Sequence, residues 1–320
     1  MPTTIAIESY PVEFQGNDTG FDHLYLVRTI TNAQGRVLSE HVIRGGLGPD
    51  RSLTIQAGLA LALSEDARRG DTPAERHQRV LHFGERNPND VWNVMLQHAR
   101  NVERADLPYG FDFAGQVDGN DVNSNTLVAS VLHTVGIPLS RNLPPTVSPS
   151  EVPLFDQIGA MVVNDLLTGT ARGDRILGGV GNDRVDGAAG NDSLSGESGN
   201  DRLVGGLGSD RLSGGGGHDT LNGGGASDTL FGGSGRDAFV FSREISNGAN
   251  VDRLADFSVR DDTMWLNQRV FDEVGPDGRL KSTAFWTGAV AHDPTDRIIY
   301  DRASGALYYD PDGTGTSDQI

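Results

Sequence analysis

Gly178-Gly179-Val180-Gly181-Asn182-Asp183-Arg184-Val185-Asp186 and Gly205-Gly206-Leu207-Gly208-Ser209-Asp210-Arg211-Leu212-Ser213 are two copies of one nine-residue pattern. The pattern runs through residues 169–240. Asp174, Asp183, Asp192, Asp201, Asp210, Asp219, Asp228 and Asp237 are spaced nine apart. Two residues after each comes an apolar side chain: Ile176, Val185, Leu194, Leu203, Leu212, Leu221, Leu230 and Phe239. Each unit opens on a glycine, from Gly169 to Gly232. A flexible Gly/Ser/Asp linker has no reason to hold an aspartate and an aliphatic in fixed phase.

Each unit reads as a turn and a strand. A triplet such as Arg202-Leu203-Val204 is a minimal strand with its middle side chain inward, and the glycines supply the positive φ that sharp turns need. Two units make an 18-residue coil, and coils stack at about 4.8 Å, the spacing of paired strands. Stacking gathers Asp174, Asp192, Asp210 and Asp228 on one side, and Asp183, Asp201, Asp219 and Asp237 on the other. Carboxylates about 5 Å apart repel, so closing the coil calls for a cation between turns. Oxygen donors in a flexible cage suit Ca²⁺ better than Mg²⁺. The expected carbonyl donors lie in the glycine loops, at Gly179, Gly181, Gly190, Gly199, Gly206, Gly208, Gly215, Gly217, Gly233 and Gly235. Two rows of four aspartates have three gaps each, which sets six ions as the ceiling. Ala188, Glu197 and Ala226 stand where the pattern has glycine, and the first unit has Thr170 second and its later glycine at 173. Roughly four to six ions are expected once these units are allowed for.

The pattern closely resembles the RTX nonapeptide repeats, Gly-Gly-x-Gly-x-Asp-x-aliphatic-x. The resemblance implies a calcium-binding parallel β-roll. Residues 242–320, with Asn250-Val251-Asp252-Arg253-Leu254, Asp261-Asp262-Thr263-Met264-Trp265-Leu266 and a β-hairpin over Arg297–Asp301 and Gly305–Asp310, resemble the C-terminal domain that follows RTX repeats in serralysin-type proteins. That implies a cap on the roll and export by type I secretion machinery. Asp310 and Asp312, in Asp310-Pro311-Asp312-Gly313-Thr314-Gly315, either ligate a further Ca²⁺ or form a polar turn.

Composition agrees. Of 43 glycines among 320 residues, 22 fall in residues 169–240, so the excess belongs to the repeat. The net charge is −18, and six Ca²⁺ would bring it to −6, leaving an acidic chain. Such acidity disfavours nucleic acid and anionic membrane as partners. There is no cysteine, which removes disulfides, zinc–thiolate sites and cysteine nucleophiles. No apolar run is long enough to span a membrane, and Met1-Pro2-Thr3-Thr4-Ile5 is not a signal peptide. Absence of an N-terminal signal is what type I export implies, so the expected location is secreted and extracellular.

Residues 1–139 read as a small α+β domain. Thr4–Glu8, His23–Ile30 and Arg36–Arg44 have strand character, the last two pairing across Thr31–Gly35. Asp90 is the expected cap of a helix running to about Arg104 with Val91, Val94, Met95, His98 and Val102 on one face. Ser124 or Asn123 caps a second, ended by Gly136 and Pro138. His77, His82 and His98 read as ordinary helix residues. Residues 140–160, rich in proline, read as a linker to the roll at 161–241. The expected architecture is therefore an α+β domain, an all-β calcium-binding parallel β-roll and a C-terminal β cap.

Neither His-Glu-x-x-His nor Gly-x-Ser-x-Gly occurs. A histidine on a strand (His23) and Asn123-Ser124-Asn125 at a helix start resemble the permuted papain-like hydrolases of the lecithin–retinol acyltransferase and PPPDE peptidase groups. There the helix start carries a cysteine nucleophile. The resemblance implies Ser124 as nucleophile and His23 as base. The competing reading makes Ser124 a helix cap and His23 a plain strand residue. Three functions stay open: a calcium-binding protein that folds on Ca²⁺ outside the cell, an extracellular serine hydrolase or amidase, and a non-enzymatic adhesin or matrix protein.

Overall fold

A computed structural model describes residues 1–14, 17–47, 53–60, 77–105, 107, 124–144, 147, 161–243, 250–274 and 280–310. The chain begins with an antiparallel sheet of β1 (Thr3–Phe14), β2 (Asn17–Thr31), β3 (Val37–Leu47), β4 (Leu53–Ala60) and β5 (His77–Val80), in the order β4-β3-β2-β1-β5. The β2–β3 hairpin turns where expected. Gly35 takes φ +78°, and the Asn32 side chain accepts N–H bonds from Gln34 and Arg36. Helices α1 (Pro88–Arg104) and α2 (Ser124–Thr134) pack against this sheet.

The cap of α1 is Asn87, not Asp90. Its side chain accepts from the Asn89 N–H, and Pro88 starts the helix, where its missing N–H is no loss. Asp90 lies in the first turn, where the helix dipole favours an acid. Val91, Val94, Met95, His98 and Val102 are buried as the periodicity requires, joined by Trp92, Ala99 and Asn101. His77 begins a strand rather than sitting on a helix.

Residues 166–239 form a parallel β-solenoid of about four turns. One sheet contains β6 (Leu166–Thr168), β8 (Arg184–Asp186), β10 (Arg202–Leu207), β12 (Thr220–Gly225), β14 (Ala238–Phe241) and β16 (Thr263–Leu266). The facing sheet contains β7 (Arg175–Val180), β9 (Ser193–Ser198), β11 (Arg211–Gly217), β13 (Thr229–Gly235) and β15 (Arg253–Leu254). Inside the repeat every pairing links residues 18 apart, for example Leu203↔Leu221 and Leu212↔Leu230. The inward aliphatics are fully buried, from Leu167 and Ile176 to Leu230 and Phe239.

The ladder does not end at Phe239. Strands β15 and β16 continue both sheets in parallel, Leu230↔Leu254 and Phe239↔Met264. A three-stranded sheet follows, of β17 (Phe285–Thr287), β18 (Ile298–Asp301) and β19 (Ala306–Tyr309), with β18–β19 the expected hairpin. One hydrophobic core runs from the N-terminal sheet through α1 and α2 into the roll.

Candidate metal centre along the roll

The two aspartate rows form as the period requires. In each, the Asp backbone N–H donates to Oδ1 of the aspartate one coil on. One row runs Asp174→Asp192, Asp192→Asp210 and Asp210→Asp228 at 2.7–2.8 Å. The other runs Asp183→Asp201, Asp201→Asp219 and Asp219→Asp237 at 2.8–2.9 Å. These bonds hold each carboxylate in place and use one of its oxygens. The second oxygen, Oδ2, is buried and has no donor in Asp183, Asp192, Asp201, Asp210, Asp219, Asp228 and Asp237. Buried carboxylate oxygens without partners are strongly disfavoured, and a repeated row of them calls for a positive ligand.

The electrostatics agree. Burial pushes the carboxyls of Asp183, Asp192 and Asp228 up to about 7, and those of Asp201 and Asp219 up to about 6. The backbone N–H bonds oppose the rise. Neighbouring carboxylates add to it, as Asp165, Asp201 and Glu197 do around Asp183. Asp210 and Asp237 are raised for the same first reason.

Carbonyl oxygens meet the unpartnered carboxylates at five first glycines: Gly178, Gly187, Gly196, Gly205 and Gly214. A Cβ on Gly187 would lie 2.3 Å from Asp192 Oδ2 and 2.6 Å from the Gly205 carbonyl oxygen. No side chain fits there, and carboxylate and carbonyl oxygens from successive coils converge. This oxygen-only donor set suits a hard cation such as Ca²⁺. The ten loop glycines named from the sequence all have φ between +96° and +149°. The carbonyls beside the open Oδ2 atoms of Asp183, Asp192 and Asp201 belong to the first glycines of the next coil, Gly196, Gly205 and Gly214.

The irregular units differ among themselves. Ala188, Glu197 and Ala226 adopt the left-handed backbone of the glycines they replace, at φ +71° to +72°, and Asp192, Asp201 and Asp228 keep their unpartnered oxygens. In the first unit, the Thr170 N–H and hydroxyl both donate to Asp174 Oδ2, at 2.7 and 2.9 Å. Asp174 therefore lacks the open oxygen its seven successors have.

Both rows extend beyond the repeat. Asp165 donates its N–H to Asp183 Oδ1, Asp228 to Asp252 Oδ1, and Asp237 to Asp262 Oδ1. Asp256 accepts from the N–H groups of Gly232 and Gly233. The signal for Asp165, Asp252 and Asp262 was present in the sequence. Each is followed two residues on by an apolar residue, Leu167, Leu254 or Met264. The last two fall out of phase because longer loops precede them.

Sequence reasoning also missed a buried chain at the N-terminal end. His98 Nδ1 lies 2.8 Å from Asp165 Oδ2, and His98 Nε2 lies 3.1 Å from Ser130 Oγ. The order Ser–His–Asp is that of a hydrolase triad, but Ser130 lies inside α2, is 3% exposed, and donates to the Leu127 carbonyl. The adjoining cavity has room for about one water molecule, so no acyl substrate reaches the hydroxyl.

Of the proposed catalytic pair, the side chains of His23 and Ser124 lie outside the described residues. Their neighbours meet: the Leu24 N–H donates to Asn125 Oδ1 at 2.9 Å. Asp310 is buried at the end of β19, its N–H bonded to the Arg297 carbonyl, and Asp312 lies outside the described residues. His292, Asp293 and Asp296 also come together, but their carboxylates accept bonds that build their own loop, from the N–H groups of His292, Asp293 and Thr295.

Residues 168–203 and 204–239 each match the RTX calcium-binding nonapeptide repeat. That repeat family binds Ca²⁺ and is typical of secreted proteins. No curated protein matches the chain. Among the described residues no helix is long and apolar enough to cross a membrane.

Proposed function

We propose that the RTX repeats make this an extracellular calcium-binding protein, exported by type I secretion machinery and completed by Ca²⁺ once outside. The observation that carries the reading is the set of seven buried Oδ2 atoms without donors, spread over the two rows. Bound Ca²⁺ supplies the positive charge that burial of those carboxylates requires. The candidate ligands are Asp183, Asp192, Asp201, Asp210, Asp219, Asp228 and Asp237, with carbonyl oxygens of the glycine loops. At low calcium, repulsion along each row keeps the roll open, in a form able to thread a channel. At high calcium, binding to the folded state alone stabilises it by mass action. Far-UV circular dichroism of the whole chain, with calcium and with chelator, tests this. Gain of β-structure on adding Ca²⁺ is expected, and its absence would sink the reading. Export is tested by expressing the chain beside a type I exporter. It should reach the medium only when the exporter is present.

A serine hydrolase or amidase in residues 1–139 is the second reading. It is favoured by the Leu24–Asn125 bond, which ties the strand of His23 to the helix start of Ser124. A scan of ester and amide substrates tests it. Activity lost in both Ser124→Ala and His23→Ala would support it, and activity indifferent to either change would dismiss it.

A further inference from the structure

The first strand of the roll, β6, is the terminal strand of its sheet, so one edge lacks a neighbouring coil. Helix α1 lies on that edge and supplies what the missing coil would. The Gln97 side-chain amide donates to the Thr168 carbonyl at 2.9 Å and accepts from the Thr168 N–H at 2.8 Å, which is the bonding of a paired strand. One turn on, Asn101 Nδ2 donates to the Leu166 carbonyl at 3.2 Å.

The same helix serves the aspartate row. Asp165 is its first rung, and both its oxygens are taken, Oδ2 by His98 and Oδ1 by Asn101 at 2.8 Å each. His98, Asn101 and Asp165 are all buried. Helix α2 completes the seat. His133 Nε2 meets Glu197 Oε2 at 2.6 Å, and Gly136 leaves space that the Arg175 side chain fills. A Cβ at Gly136 would lie 2.4 Å from Arg175 Nε.

We infer that the N-terminal domain is the roll's own end-cap, with Gln97, His98 and Asn101 standing in for the missing coil. Domain docking and calcium loading are then one linked equilibrium, which rests on the calcium reading above. Linkage is reciprocal: calcium must stabilise α1 by the factor by which α1 tightens calcium.

Hydrogen exchange of the full chain across a calcium titration tests it. Protection of residues 88–105 should rise at the same calcium midpoint as that of residues 166–239. Gln97→Ala with His98→Ala should raise the roll's midpoint roughly three- to tenfold, because the two Gln97 bonds to the Thr168 backbone and the buried His98 bond to Asp165 are lost together. His98→Gln, which keeps a donor, should restore most of it. Exchange at β2 and β3 reports whether each variant's N-terminal sheet is intact. Protection of α1 that ignores calcium while the roll responds, or an unchanged midpoint in the double variant, overturns the inference alone. A roll that never responds to calcium overturns both it and the calcium reading.

Discussion

At the residue scale the roll depends on backbone conformations and on oxygens that lack partners. Ala188, Glu197 and Ala226 hold a left-handed φ that costs an L-residue roughly 1–2 kcal/mol. Glycine there relieves the strain but loses more chain entropy on folding. Ala188→Gly and Ala226→Gly should therefore each add about 0.5–1 kcal/mol in calcium-saturated urea unfolding, whereas Glu197→Gly also removes the His133 contact. The reverse change is severe at Gly206, where φ is +109° and a Cβ would sit 2.1 Å from the Ala188 carbonyl oxygen. Gly206→Ala should lose about 3 kcal/mol or more in the same measurement.

The aspartates give a pH signature in the ion-free protein. Their folded values, about 6 to 7 for five of them, lie above the ordinary 3.8. The folded roll thus binds more protons than the unfolded chain in that window. Its ion-free stability is full below about pH 4 and is lost as pH rises through 6 to 7. Chelated protein should gain β-structure by circular dichroism on acidification, whereas calcium affinity should fall as protons compete. Chelated protein equally unstructured at pH 4 and pH 8 would contradict this.

At the element scale, the strands are too short to stand alone and gain stability from stacking. Leu212 is fully buried between Leu194 and Leu230 in its sheet. Leu212→Ala should cost about 2–5 kcal/mol in calcium-saturated unfolding, the range for a core cavity. The C-terminal end is held by polar groups. Asp256 accepts from two glycine N–H groups of β13, and Phe257 packs on Phe239 with ring centroids 5.8 Å apart. Asp256→Ala should raise hydrogen exchange at Leu230–Phe239 selectively, since unpaired N–H groups cost about 1–3 kcal/mol. Strands β15 and β16 were partly legible. Their Asp-x-apolar signal was present, but the preceding loops broke the nine-residue phase that identified the others.

At the scale of the molecule, the roll's thin core is continuous with that of the N-terminal domain. With calcium in excess, thermal unfolding followed by far-UV circular dichroism and by tryptophan fluorescence should give coincident transitions, as one cooperative unit requires. Two separated transitions would show that the shared core does not couple the parts. Calcium also changes the charge: −18 is reduced by two for each ion bound, so the loaded chain is less self-repelling.

The nine-residue phase by itself determined the coil length, the inward aliphatics and both aspartate rows, because strand alternation and stacking are local and repeat identically. It also carried the calcium chemistry, since eight carboxylates in register already imply a cation. Only the tertiary structure decided how the roll begins. Asp165 stands outside the glycine pattern, and its partners His98 and Asn101 are more than sixty residues away on a helix whose periodicity predicts burial but not against what. Likewise Asp252 and Asp262 extending the rows follow from where loops of different length return the chain. Spacing along a sequence fixes a repeat, whereas contacts between a repeat and its surroundings depend on the packing of segments distant in sequence.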